Sequence, residues 1–97
     1  MKKGYWVVAH RSISDESAVK AYVALAGPAI ESFGGRILTR SSSQIQTRES
    51  GIQQRTILVE FESFEIALEA YESEAYKKAH EALGSGAERD FRIVEGV

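Results

Sequence analysis

Two histidines, four tyrosines, one tryptophan and no cysteine are the residues with which this 97-residue chain could do chemistry. His10 comes first. It lies near the end of the run Tyr5–Arg11 (YWVVAHR), and an imidazole titrates close enough to neutral pH to take or give a proton there. Tyr22 brings a hydroxyl that needs a partner or a ligand wherever it is buried. Trp6 brings a flat apolar wall. Together they suit proton transfer by His10, assisted by Tyr22, on a flat apolar molecule held against Trp6. The same residues also make sense with no ligand at all. Aromatics at strand and helix spacing fill cores, and a strand-end histidine can satisfy a backbone group or a subunit contact.

Four further side chains are candidates for ligand contact. Arg36 and Arg40 point the same way on one predicted strand and could clamp a carboxylate or phosphate, although edge strands carry such charges simply to discourage edge pairing. Glu60 alternates onto a mixed face, where burial would raise its pKa or a dimer salt bridge with Arg36, Arg40 or Arg55 would satisfy it. His80 continues the inner stripe of the last helix one turn after Tyr76, the usual place of a core histidine. No single element holds a metal-ligand spacing, so a metal would need distant residues such as His10 and Glu60 to converge. Neither a metal nor an organic cofactor is expected. Ser41-Ser42-Ser43 has no histidine–acid arrangement near it and reads as loop.

The elements that position these residues follow from the patterning. Tyr5–Arg11 is a strand with faces Tyr5, Val7, Ala9 and Trp6, Val8, His10. Ser14 is a candidate N-cap, with Asp15 and Glu16 in the first turn of a helix. Val19, Tyr22, Val23, Ala26, Ile30 and Phe33 form its stripe. Pro28 predicts a kink or restart, and Gly34 suits a left-handed C-terminal position. Arg36–Arg40 is a second strand, and the polar stretch 41–53 reads as a twisted hairpin or a loop. Arg55–Phe61 (RTILVEF) is a third strand, with Ile57, Val59 and Phe61 toward the core and Thr56, Leu58 and Glu60 on the other face. Ser63 and Ser73 cap two helical segments, and Asp90–Glu95 is the last strand, with Phe91 and Ile93 inward.

The order β-α-β-β-α-β is that of an α+β, ferredoxin-like domain: a four-stranded antiparallel sheet with the helices on one face, and residues 1–97 form a single domain. The other sheet face is left open. Burying residues such as Leu58, Val8 or Trp6 there would stabilise by roughly 1.5–3 kcal/mol each, so a homodimer through that face is expected. Net charge is −2, from 12 basic and 14 acidic side chains. That balance argues against a nucleic-acid partner, and Thr56, Leu58 and Glu60 lack the exposed aromatics of an RNA-recognition sheet. Without cysteine there are no disulfides or thiolate sites. No apolar run spans a bilayer, so a cytoplasmic chain is expected.

The stretches GYWVVAH (4–10), AYVALAGPAIESFGGRILTR (21–40), VEFESFEIALEAYESEAYKKA (59–79) and DFRIVEGV (90–97) together resemble the domain of unknown function 1330 family. The resemblance covers nearly the whole chain except the 41–53 stretch. It implies the dimeric α/β barrel fold, and it supplies no activity. Glu16 and Glu74 stand where such proteins often carry proline at the first position of a helix. Val19 and Phe33 stand where more polar aromatic or imidazole side chains are expected. Two functions are therefore in view. One is a small dimeric protein binding an apolar or aromatic molecule between sheet and helices, by fold analogy with cofactor-free monooxygenases and isomerases. The other is a non-catalytic structural or regulatory dimer module.

Overall fold

The computed structural model describes residues 2–97. In chain order the elements are β1 (Gly4–Ile13), α1 (Glu16–Ser32), β2 (Arg36–Ile37), β3 (Thr56–Phe61), α2 (Phe64–Glu72), α3 (Glu74–Leu83) and β4 (Ala87–Glu95). The strands form one sheet in the order β2-β3-β1-β4, every neighbouring pair antiparallel. This is the ferredoxin-like arrangement expected from the element order. Among the described residues no helix is long and apolar enough to cross a membrane.

Antiparallel partners share a sheet face, so the register sorts the side chains. Trp6 pairs with Val59 and Ile93, and Val8 with Ile57 and Phe91. Trp6, Val8, Val59 and Phe61 are buried beneath the helices. Leu58 pairs with Val7 and so lies on the opposite, uncovered face. Trp6 and Val8, expected beside Leu58 on that open face, face the helices instead, one residue out of phase with it.

Trp6 is the centre of the core. Its ring centroid lies 5.0 Å from Phe61, 5.0 Å from Tyr76 and 5.2 Å from Phe91. Its Nε1–H donates to the carbonyl of Ala67 at 2.9 Å, which ties α2 to the middle of the sheet. Ala67, Ala70 and Ala79 are fully buried, and their small side chains let α2 and α3 approach closely.

The helix ends follow their capping residues. Asp15, not Ser14, caps α1: its carboxylate accepts from the amides of Ser17 and Ala18. The Ser14 hydroxyl instead donates to the carbonyls of Ser85 and Gly86. Ser73 both ends α2 and caps α3, its hydroxyl donating to Ala70 O and accepting from Tyr76 N. Helix α1 runs through Pro28 as one element. Pro28 and Ala24 are both exposed, so water can satisfy the Ala24 carbonyl and no restart is needed. Strand β2 stops at Ile37, two residues into its predicted length. Beyond it, Leu38 N–H still donates to Leu58 O at 2.8 Å, and the Thr39 hydroxyl bridges Thr56 O and Leu58 N. Residues 38–55 form an irregular loop with turns, not a hairpin. The Gln53 side chain holds it together, accepting from Thr47 and donating to Ile45 O.

The α1–β2 turn depends on glycine twice. Gly34 has φ +71°, and the amides of Gly34 and Gly35 close on Glu31 O and Ile30 O, each at 2.9 Å, the double bond pattern of a Schellman end. A Cβ on Gly35 would lie 2.5 Å from Ile30 Cγ2 and 2.7 Å from the Phe61 ring. Gly35→Ala is therefore expected to destabilise the fold by roughly 1–3 kcal/mol through overpacking, read from urea unfolding. An unchanged midpoint would show that this corner of the core is looser than described.

Candidate functional site

Helix α1 leans chiefly on α3 and only sparsely on the sheet. Between it and the helix-facing side of β1 and β3 lies a cavity of about 650 Å³, open on one side. Its walls are mostly apolar, with Val8, Val19, Ile30, Ile57 and Val59 among them, and exposed Val23 and Ile37 stand at its mouth. The volume lies within the range of small-molecule sites, roughly 300–1,000 Å³.

His10 sits on the cavity wall and is 6% exposed. Its backbone N–H and its ring Nδ1 both meet the carbonyl of Arg55, at 2.9 and 3.1 Å. A carbonyl only accepts, so Nδ1 carries the proton and the Nε2 lone pair is left over. Nε2 makes no hydrogen bond among the described residues, and no buried side-chain nitrogen or oxygen there lacks a partner. The cavity is thus what Nε2 can reach. Burial lowers the His10 pKa, the Arg89 guanidinium lowers it further, and the Arg55 charge acts in the same direction. The bond to the Arg55 carbonyl and the Glu16 charge oppose this without reversing it. At neutral pH His10 is an uncharged base with a fixed tautomer. A β-bulge follows it, between His10 and Ser12, ending the regular pairing at the site.

Beside it is a second polar group. Arg89, on β4, is the cross-strand partner of His10. Its guanidinium lies over the Tyr22 ring at 4.8 Å and the Phe91 ring at 5.3 Å, and Nη2 donates to the Tyr76 hydroxyl at 3.4 Å. The Tyr76 and Tyr22 hydroxyls are 2.8 Å apart. Burial pushes the Tyr76 hydroxyl well above the ordinary phenol range, with Tyr22 adding to the effect. Burial alone would lower the Arg89 pKa, but the two tyrosine hydroxyls more than offset this, and it stays charged.

Of the residues singled out from the sequence, His10, Tyr22, Trp6 and Arg40 line this one cavity. Trp6 is its floor, with the indole N–H already committed to Ala67. Arg36, Glu60 and His80 lie elsewhere. Arg36 and Glu60 are cross-strand partners with a 3.7 Å ion pair, and Tyr5 donates to the same carboxylate at 3.3 Å. Glu60 is thus satisfied within its own chain, on the open sheet face. His10 and Glu60 are on opposite faces, so the convergence that a metal would require does not occur. His80 is exposed on α3, stacked at 6.4 Å on the Tyr76 ring. Arg89, Arg55 and Tyr76 are additional polar groups at or beside the site. Arg89 shares the phase of Phe91 and Ile93 and could have been found as a charge on an apolar face.

The family model described as Domain of unknown function (DUF1330) matches residues 3–97. Among solved structures, the chain is similar to a protein of unknown function from Rhodopseudomonas palustris, with TM-score 0.72 and 14% identity, covering 99% of this chain and 83% of that one. It is also similar to an ethyl tert-butyl ether d (ethd) family protein from Bacillus halodurans, with TM-score 0.58, 11% identity and full coverage of both chains. At these identities the likeness concerns the fold alone. No curated protein matches.

The His10 environment makes a signed prediction. The folded state holds its pKa below the ordinary 6.5, so the unfolded chain binds the proton more readily. Its contribution to stability is complete above that ordinary value and is lost as pH falls through the depressed one. Imidazole titration by NMR should give a His10 midpoint below 6.5, and His10→Asn should flatten the fall in urea stability over that window. A midpoint at or above the ordinary value would contradict this environment.

Proposed function

This chain belongs to the DUF1330 family, and from that premise we propose that it binds a small apolar or aromatic molecule in the cavity between α1 and the sheet, with proton transfer by His10 as the chemistry the site is equipped for. The observation that carries the reading is the exposure of one unprotonated imidazole nitrogen to an apolar space large enough for a ligand. In this reading His10 Nε2 removes a proton from the bound molecule. The Tyr22 hydroxyl donates to the oxygen on which charge collects, and the fixed Nδ1–H bond to Arg55 keeps the imidazole oriented. The residues of the chain suffice for these roles.

The same proposal makes the protein a homodimer through its open sheet face. Val7 and Leu58 are half-buried there, and Leu38 and Val94 are 44% and 45% exposed. These apolar side chains, set among the Arg36–Glu60 and Arg92–Asp90 ion pairs of the same face, support an interface between copies. The competing reading, a non-catalytic dimer module, keeps the interface and leaves the cavity without an occupant.

Two measurements separate them. A thermal-shift screen against aromatic acids, lactones and quinones should give at least one stabilising compound, since a ligand that binds only the folded state raises apparent stability. His10→Ala should then cut turnover of that compound about 10²–10⁴-fold. No stabilising compound, or turnover unaffected by His10→Ala, would favour the non-catalytic module. For the interface, Leu58→Arg should convert a dimer to a monomer in sedimentation velocity, and a wild-type monomer at micromolar concentration would refute the dimer.

A further inference from the structure

We infer that the molecule this cavity takes is an acid, an apolar or aromatic monocarboxylate whose carboxylate is gripped by Arg89. The inference rests on the cavity reading above and adds the chemical class of the occupant.

Arg89 is half-buried, and none of the ion pairs among the described residues includes it. Its neighbour Asp90 points to the other sheet face, where Arg92 holds both its oxygens at 3.0 and 3.1 Å. Arg89 has only uncharged company, the Tyr22 and Phe91 rings and one long hydrogen bond to Tyr76. A guanidinium offers five N–H donors in a planar fork, and a carboxylate fits that fork with two parallel bonds. A partly desolvated cation without a counter-ion is costly, and an incoming carboxylate supplies one.

Two independent features agree. The chain carries a net charge of −2, yet the cavity is lined by Lys20, Arg40, Arg55 and Arg89 against the single carboxylate of Glu16. Glu16 is already 3.8 Å from Arg55. The cavity therefore attracts anions on a protein that as a whole does not. The tyrosine pair adds a donor. Tyr76 is 1% exposed, and its oxygen accepts from Arg89, so its own proton has only the Tyr22 oxygen within reach. That leaves the Tyr22 O–H free to donate to a ligand oxygen beside Arg89. The apolar remainder of the acid then lies along Val8, Ile57 and Val59. Because His10 and Arg89 are cross-strand partners, the carboxylate end is also the end at which His10 acts.

Trp6 is the only tryptophan and lines the cavity, so its fluorescence can follow binding of phenylbutyrate and of its uncharged isostere phenylbutyramide. Wild type should bind the acid about tenfold or more tightly than the amide. Arg89→Met, which keeps the stem over Tyr22, should erase that preference by weakening acid binding far more than amide binding, and Arg89→Lys should retain part of it. Equal binding of acid and amide to wild type overturns the carboxylate assignment and leaves the cavity reading standing. A preference that survives Arg89→Met overturns the role of Arg89. Binding of neither compound overturns both readings. Should Arg89→Met fail to fold, the acid-to-amide ratio of wild type and its weakening by salt decide: a ratio near one, or one indifferent to salt, sinks the inference.

Discussion

The site depends on where α1 is held. Its first turn is fixed by the amides of Ser14 and Asp15, which donate to Gly86 O at 2.9 and 3.1 Å. A Cβ on Gly86 would lie 2.7 Å from the Ala18 methyl, so the approach is as close as backbone allows. Its last turn is fixed where Ile30 and Gly35 meet Phe61. Between these anchors the helix rests on α3, while α2 is drawn onto the sheet by the Trp6–Ala67 bond and α3 reaches it through the Tyr76 ring on Trp6. The middle of α1 is left standing off from β1 and β3. A close-packed interior does not leave such a space by default, and here it is a consequence of which helix carries the load.

The chemistry follows from what borders that space. Val8, Val59 and Ile57 make the floor dry, and the polar groups gather at one end, where β1, β4 and the start of β3 come together. In that apolar setting an imidazole is held neutral. A phenol as deeply placed as Tyr76 keeps its proton, and a guanidinium stays charged. Base, hydroxyl and cation thus each sit in the protonation state that proton transfer beside an anionic group would use. The ordering of these states is a product of burial and neighbours.

Much of this was legible in the sequence, and the exceptions have identifiable causes. Strict alternation in Tyr5–Arg11 and Arg55–Phe61 gave the two central strands and placed Ile57, Val59 and Phe61 correctly toward the helices. It also put His10 in phase with Trp6, which is why His10 and Trp6 share the cavity. Arg89 is obscured in the sequence pattern because Gly84-Ser85-Gly86 and the polar Glu88 point to a β4 that begins at Asp90, whereas pairing with the extended β1 starts it at Ala87. The one-turn spacing to Tyr76 predicts an inward His80, which the helix does not give it. The buried stripe of α3 runs through Tyr76, Ala79 and Leu83, and His80 lies one residue, or about 100° of rotation, past Ala79. Ser14 and Asp15 are both good caps, and only the contact of Ser14 with Gly86, remote in sequence, decides between them. The stretch 38–55 has two large apolar residues after Leu38, too few for alternation to specify a register.

The central claim is that the space between α1 and the sheet is a ligand site, and contact between ligand and methyl protons tests it most directly. In a filtered NOE experiment with methyl-labelled protein and phenylbutyrate, the account predicts cross-peaks to Val8, Val19 and Ile57, whose side chains line the cavity. Cross-peaks confined to Val7, Leu58 and Val94 would contradict it, because those methyls lie on the opposite face of the sheet.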